Sequence, residues 1–341
     1  MGSVQMGRIV AIFVLMMLIA TTANAKVWRI YGVQSYTMNH ICGTPQLEGF
    51  KAELERLNIK YTMRVYYMKS RTVHTTSSEL AAESQWILNR IKAYKPDAVV
   101  LFDDAAFQYI APKLPNNIII VFSGMNNYYK DYLKKYPQLK EHTICGVQEI
   151  ILLNKLAPIL SSIDEVVILY GSSATSHYAL VNFLQEFKKI SNLDVDLQHR
   201  LKITLIKVKT LDELQSVISK YNSLQDTVLL VLVVQRVFDE VEYKYLQSHD
   251  LLEYVNKHNT NQLTLFMNLT AIKYVTITIG PNFYEMGSIA ADLLQQVMVN
   301  KSAPSIVIAN SYLYASKTNM ENVNKIDLLE KYIEVFDEIR P

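Results

Sequence analysis

Short apolar runs alternate with helix-patterned segments along almost the whole chain, and this alternation limits the possible folds more than any other feature. Val27–Val33, Tyr61–Met68, Asp97–Phe102 and Ile118–Phe122 read as strands. Between them, Leu47, Phe50, Leu54 and Leu57, and then Leu80, Ile87, Leu88 and Ile91, recur at helical spacing. After a short strand at His142–Val147 the pattern restarts. Strands are expected at Glu165–Tyr170, Lys202–Val208, Thr227–Val234, Leu263–Phe266, Tyr274–Ile279 and Ser305–Ala309. Helices are expected at Ala174–Ile190, Leu211–Tyr221, Val241–His258, the segment ending at Val299, and Ile326–Ile339. Such alternation predicts an α/β protein with parallel sheets covered by helices on both faces. A length of 341 residues exceeds what one core usually supports, roughly 250–300. Two doubly wound parallel-sheet lobes follow.

Charge narrows the partners. Lys and Arg number 34 against 32 acidic residues, a formal +2. No basic stretch stands out, so nucleic acid is not an expected partner. At the N-terminus, Arg8 precedes the apolar run Ile9–Ala20, and Ala23-Asn24-Ala25 supplies the small residues that signal peptidases read. The run falls short of the roughly 20 residues of a spanning helix. Residues 1–25 are therefore expected to be a signal peptide cleaved after Ala25, leaving a periplasmic or otherwise extracytoplasmic protein. In such a compartment Cys42 and Cys145 either bridge or stay as free thiols. No Gly-rich phosphate fingerprint or Walker pattern follows any strand. The seven His residues show no metal-ligating spacing, and His40 with Cys42 is two ligands without a third. Neither a metal nor a cofactor is expected.

The stretch Asp97–Ala106 carries the clearest site signal. An apolar strand enters from Lys95-Pro96 and ends in Asp103-Asp104 before a helix. Asp104 is suited to capping that helix. Asp103 then stands at the strand's carboxyl end, where open α/β sheets bind ligands and where a carboxylate can pair with an ammonium.

Five phrases in series resemble a known family: Gly32-Val33-Gln34-Ser35-Tyr36 with Glu48-Gly49-Phe50; Lys95-Pro96-Asp97 with Phe102–Ala106; Val121–Asn126; Cys145–Glu149; and Tyr284-Glu285-Met286-Gly287 with Ala290-Ala291 and Lys301–Pro304. In this order the chain resembles the ABC-transporter substrate-binding proteins of the TrpX-like group, within the type I periplasmic binding protein fold. The resemblance implies two lobes joined by a three-crossover hinge, with a ligand caught between them. The first lobe would hold residues 26–147 and take back 275–310. The second would hold 148–274 and 311–341. Hinge closure of such discontinuous lobes is an established mode of ligand capture. The stretch Thr37–Cys42 departs from the family in lacking the aromatic that often precedes the first helix.

Candidate ligand contacts sit in the loops after strands. Ser35 and Tyr36 precede a helix start, a combination that suits an anion. Asp103, Asp104, Ser123 and Asn126 cluster after two neighbouring strands; Asn offers both donor and acceptor. Glu149 follows the first crossover. Ser172 and Ser173 open the second lobe's first helix, and Gln235 and Asn268 end strands there.

These features point to an exported solute-binding protein, acting as a monomer. It would capture a small amino-acid-like or carboxylate-bearing molecule and deliver it to an ABC permease. The alternative is an extracytoplasmic sensor that reports its ligand to a membrane receptor kinase. An enzyme has the least support: Asp103 and Glu149 as an acid–base pair would need environments that push their pKa values apart, and no Ser-His-Asp set with a nucleophile-elbow pattern occurs. Intact-mass analysis of exported protein is expected to show a chain beginning at Lys26; retention of residues 1–25 would contradict the signal-peptide reading.

Overall fold

The computed structural model describes residues 26–341 except 71–75, 173, 192–199, 223, 225, 233–236, 247, 261–262 and 301–305. The leader 1–25, Ser173 and Gln235 lie outside the described residues.

In chain order the strands are β1 (Trp28–Gln34), β2 (Tyr61–Tyr67), β3 (Ala98–Phe102), β4 (Ile119–Met125), β5 (Ile144–Gln148), β6 (Glu165–Tyr170), β7 (Lys202–Lys207) and β8 (Thr227–Val231). They continue with β9 (Phe238–Asp239), β10 (Lys244–Tyr245), β11 (Leu263–Phe266), β12 (Ile277–Gly280), β13 (Ile306–Ile308), β14 (Tyr312–Ser316) and β15 (Glu338–Arg340).

One sheet has the order β13-β5-β4-β3-β1-β2 with every pairing parallel. The other has the order β15-β14-β12-β11-β8-β6-β7. It is parallel from β12 to β7, while β14 runs antiparallel to β12.

Central strands of a parallel sheet have helices on both faces and so read as unbroken apolar runs. Accordingly β3 and β8 are buried at every position. On the first sheet, Val99 and Leu101 join one core, while Ala98, Val100 and Phe102 join another on the opposite face. The second sheet divides likewise, with Ile168 and Leu230 on one side and Val167 and Leu229 on the other. Edge strand β7, by contrast, alternates towards solvent.

The chain passes between the sheets three times, after β5, after β12 and after β13. The return to the first lobe differs from expectation. β12 pairs with β11 and β14 in the second sheet, so the return begins after Gly280 and not at 275. Reciprocal bonds anchor the chain there: Thr264 N donates to Thr276 Oγ1 at 2.8 Å, and Thr276 N to Thr264 Oγ1 at 2.9 Å.

Two expected helices are also different. Val241–His258 supplies the turn and second strand of the β9–β10 hairpin, and its helix is confined to Ser248–His258. Asp239 Oδ1 accepts from Val241 N at 2.9 Å and Glu242 N at 3.0 Å, which closes a tight turn. Tyr243 leaves it at φ +52°, a left-handed conformation incompatible with a continuing right-handed helix, and Lys244-Tyr245 then pairs with Phe238-Asp239. The last segment forms a short helix at Ile326–Lys331 and then β15, which extends the second sheet.

The returning helix Phe283–Asn300 lies against helix Gly43–Arg56 with almost no space between backbones. A Cβ at Gly287 would stand 1.9 Å from Gln46 O, and one at Gly49 would stand 2.0 Å from Tyr284 O. Gly287→Ala is expected to lower stability by about 1–3 kcal/mol through overpacking, despite a helix-propensity gain of roughly 0.5–1 kcal/mol. Urea unfolding measures this, and an unchanged or raised midpoint would contradict the close approach.

Candidate functional site

A cavity of about 730 Å³ lies between the lobes, at the carboxyl ends of both sets of parallel strands. The loop after β1 supplies Tyr36, Thr37, Asn39, His40, Ile41 and Cys42. Asp103 comes from the end of β3, Asn126 from the end of β4, and Glu149 and Ile151 from the first crossover. Opposite stand Asn182 on helix Ala174–Ser191, Val231 at the end of β8, and Leu251 and Leu252 on helix Ser248–His258. Phe266, Met267 and Asn268 end β11, and Lys273 and Tyr274 follow.

Asp103 is the most tightly held of these. It is 2 % exposed and has φ +65°, a left-handed conformation uncommon for a side chain other than Gly and one that only firm surroundings maintain. Ser123 Oγ donates to Gln46 Oε1 at 2.6 Å, and this orients the amide so that Gln46 Nε2 points to Asp103 Oδ1 at 3.5 Å. Gly124, at φ +82°, leaves room for that amide: a Cβ there would be 2.7 Å from Gln46 Oε1 and 3.0 Å from Asp103 Oδ1.

Several expected contacts serve this framework instead of facing the cavity. Ser35 is fully buried; its Oγ donates to Phe102 O at 2.6 Å and accepts from Ala106 N at 2.8 Å. Ser35 therefore satisfies a free amide in the first turn of helix Asp103–Ile110, the role assigned above to Asp104. Asp104 accepts from Asn126 N at 2.9 Å, Asn127 N at 3.2 Å and Tyr132 Oη at 2.9 Å, and so shapes the loop after β4. Burial, reinforced by the Asp104 charge, holds the Tyr132 hydroxyl far above its ordinary pKa, keeping it protonated as a donor. Ser123 is enclosed beside Gln46. Ser172 is exposed and does not line the cavity.

Tyr36, Asp103, Asn126, Glu149 and Asn268 are the predicted residues that the fold brings together around the cavity. Tyr36 stacks on His40 with ring centroids 4.0 Å apart, and Cys42 N donates to His40 Nδ1 at 3.3 Å. Asn182 Nδ2 donates to Asn126 O at 2.8 Å across the lobes, and Asn268 Nδ2 approaches Cys42 Sγ at 3.7 Å. Glu149 N donates to Met125 O at 2.8 Å, which pins the first crossover to β4.

Sequence reasoning missed Asn182, Lys273 and the apolar wall of Val231, Leu251, Leu252 and Phe266. Val231 and Phe266 were available from the rule that selected Asn268, because they too end parallel strands. Among the described residues, no group of three or more His, Cys, Asp or Glu side chains is placed to hold a metal.

No protein-family model matches the chain, and no curated protein sequence matches it. Solved structures do. A conserved domain protein of Vibrio cholerae O1 biovar El Tor aligns with TM-score 0.65 and 14 % identity over 92 % of this chain and 100 % of its own. A substrate-binding protein with adhesive properties from Clostridium difficile, in its ligand-free open form, aligns with TM-score 0.61 and 13 % identity over 87 % and 95 %. A solute-binding protein of an ABC transporter from Bacillus halodurans, with bound myo-inositol, aligns with TM-score 0.52 and 13 % identity over 89 % and 100 %. The chain has the type I periplasmic binding protein fold.

Within that fold the cavity is the interlobe cleft, and the crossovers that flank it are laced together. Ala309 N donates to Gln148 O at 3.0 Å, and Leu152 N donates to Ser311 Oγ at 2.8 Å. Cys42 and Cys145 are not joined in a disulfide. Cys42 faces the cleft, whereas Cys145 is fully buried on β5 and burial pushes its thiol up to about 12. Thiolate is the reactive form, so Cys145 is expected to be inert. Iodoacetamide on the native protein should label Cys42 alone, with both labelled after unfolding; native labelling of Cys145 would contradict this placement.

Proposed function

We propose that the chain is an exported solute-binding protein that captures a small amino-acid-like or carboxylate-bearing ligand in the interlobe cleft and presents it to an ABC permease. The observation that carries this reading is the unequal pair of cleft walls. Asp103 and Glu149 bring two carboxylates to the first-lobe side, whereas Lys273 stands on the other wall among Val231, Leu251, Leu252 and Phe266. A ligand ammonium facing Asp103 would gain a charge-assisted bond in a site largely withdrawn from water. A ligand carboxylate has Lys273 within the same cavity, and an apolar portion has the second-lobe wall. Pockets of this kind bind through mostly apolar lining with a few convergent polar groups.

Among proteins sharing the fold, the Bacillus halodurans protein holds myo-inositol and an Agrobacterium vitis protein holds allitol. A polyol carries hydroxyls around its whole surface, and those facing the apolar wall here would lose their hydrogen bonds to water without replacement. The second wall therefore favours an amphiphilic zwitterion over a polyol. The serial phrases shared with the TrpX-like group agree with that preference. The chain is read as a monomer that closes on its hinge and works outside the cytoplasm.

Isothermal titration of wild type and Asp103→Asn with the tightest amino acid tests the assignment. Removing the charged acceptor is expected to weaken binding by about 1–3 kcal/mol, roughly tenfold to a hundredfold, with unfolding unchanged. Equal affinities would remove Asp103 from the site.

A further inference from the structure

A second cavity, of about 1040 Å³, opens at the other end of the first sheet, where β1, β3 and β4 begin. It is separated from the cleft by the length of the strands, roughly 20 Å. Its walls hold Lys26, Lys92, Lys95 and Lys113 with Asp97 as their acid.

That acid is already committed. Asp97 Oδ1 accepts from Lys26 Nζ at 2.7 Å, and Asp97 Oδ2 accepts from Arg29 N at 2.9 Å. Among the described residues no carboxylate pairs with Lys92, Lys95 or Lys113. Lys113 Nζ donates to Ser84 Oγ at 3.1 Å, which places its ammonium and leaves further N–H donors for another acceptor. The helix Ser77–Tyr94 explains one cation near its carboxyl end, since Lys92 lies in its last turn. It does not explain Lys113, which enters from the opposite wall after the helix Asp103–Ile110. Four lysines and one aspartate leave a local surplus of three positive charges in one concavity, while the whole chain carries only +2. A concave surface lined by one sign of charge focuses its field and concentrates counter-ions. Asn89 and Asn117 add neutral amide donors to the same walls.

We infer that this groove is a second binding site, independent of the cleft, for a phosphate-bearing anion. The phosphate belongs either to a small soluble molecule or to a lipid headgroup. The site recognises it by the ammonium groups of Lys92, Lys95 and Lys113.

Inorganic pyrophosphate, measured by isothermal titration at low ionic strength, is the soluble probe. Flotation with phosphatidylglycerol vesicles, against vesicles of phosphatidylcholine alone, is the lipid arm. The triple variant Lys92→Gln/Lys95→Gln/Lys113→Gln is the control, with its fold checked by thermal unfolding. Wild type is expected to bind pyrophosphate at least about tenfold more tightly than the variant, the equivalent of one lost charge-assisted contact. Asp103→Asn should leave this binding untouched. Vesicle binding that wild type shows and the variant lacks, without pyrophosphate binding, assigns the phosphate to a headgroup and supports the site. Equal behaviour of wild type and variant in both arms, or binding in neither, overturns it.

Discussion

The cleft depends on one strained turn at the end of β3. Asp103 holds a left-handed backbone, a conformation worth about 1–3 kcal/mol of strain that must be offset by its surroundings. The offset is visible in buried bonds from three neighbouring segments. Ser35 on one side ties the end of β1 to Phe102 O and to the first turn of the following helix. On the other side Ser123 fixes the Gln46 amide beside the carboxylate, and Gly124 makes room for it. Without these groups the chain could relax into an ordinary helix start, and the carboxylate would lose its fixed place on the cleft wall.

The same economy links the cleft to the hinge. Asp104, one residue on, gathers the loop after β4 through Asn126 N and Asn127 N. That loop receives Asn182 from the second lobe, and Tyr128 Oη reaches Glu186 Oε1 at 3.5 Å. Neighbouring backbone at Met125 holds Glu149 N at the first crossover. Cleft wall, lobe contact and first crossover thus lie on connected backbone, so a ligand bound in the cleft beside Asp103 and Glu149 would also act on the segments that join the lobes. Ligand binding can shift such an equilibrium only by its differential affinity for the two arrangements.

The fold was legible because its strongest signals are local. β3 is buried on both faces and therefore reads as an unbroken apolar run, and the helix whose Leu80, Ile87, Leu88 and Ile91 spacing was legible starts at a capping box of Thr76 with Glu79. The β9–β10 hairpin was not legible as such, because Val241 and its neighbours fit a helical register as well as an extended one, and the Asp239 turn decides between them. Side-chain direction was the least legible feature. Ser35, Asp104 and Ser123 stand at strand ends as ligand-binding residues do, yet their oxygens are consumed within the framework, and only long-range pairing reveals that. Val231, fully buried in the second-lobe core where that core borders the cleft, and Phe266, packed against it, look like core residues in sequence because an apolar cleft wall and the core behind it have the same composition.

The unequal cleft is proposed to capture a small amino-acid-like or carboxylate-bearing molecule. A thermal-shift screen of residues 26–341 against amino acids, small carboxylates, purines and sugars tests it most directly, since a solute that binds only the folded chain must raise its melting temperature. A rise with an amino acid or small carboxylate, and none with the sugars, is the predicted result. A rise confined to sugars or purines would contradict the claim.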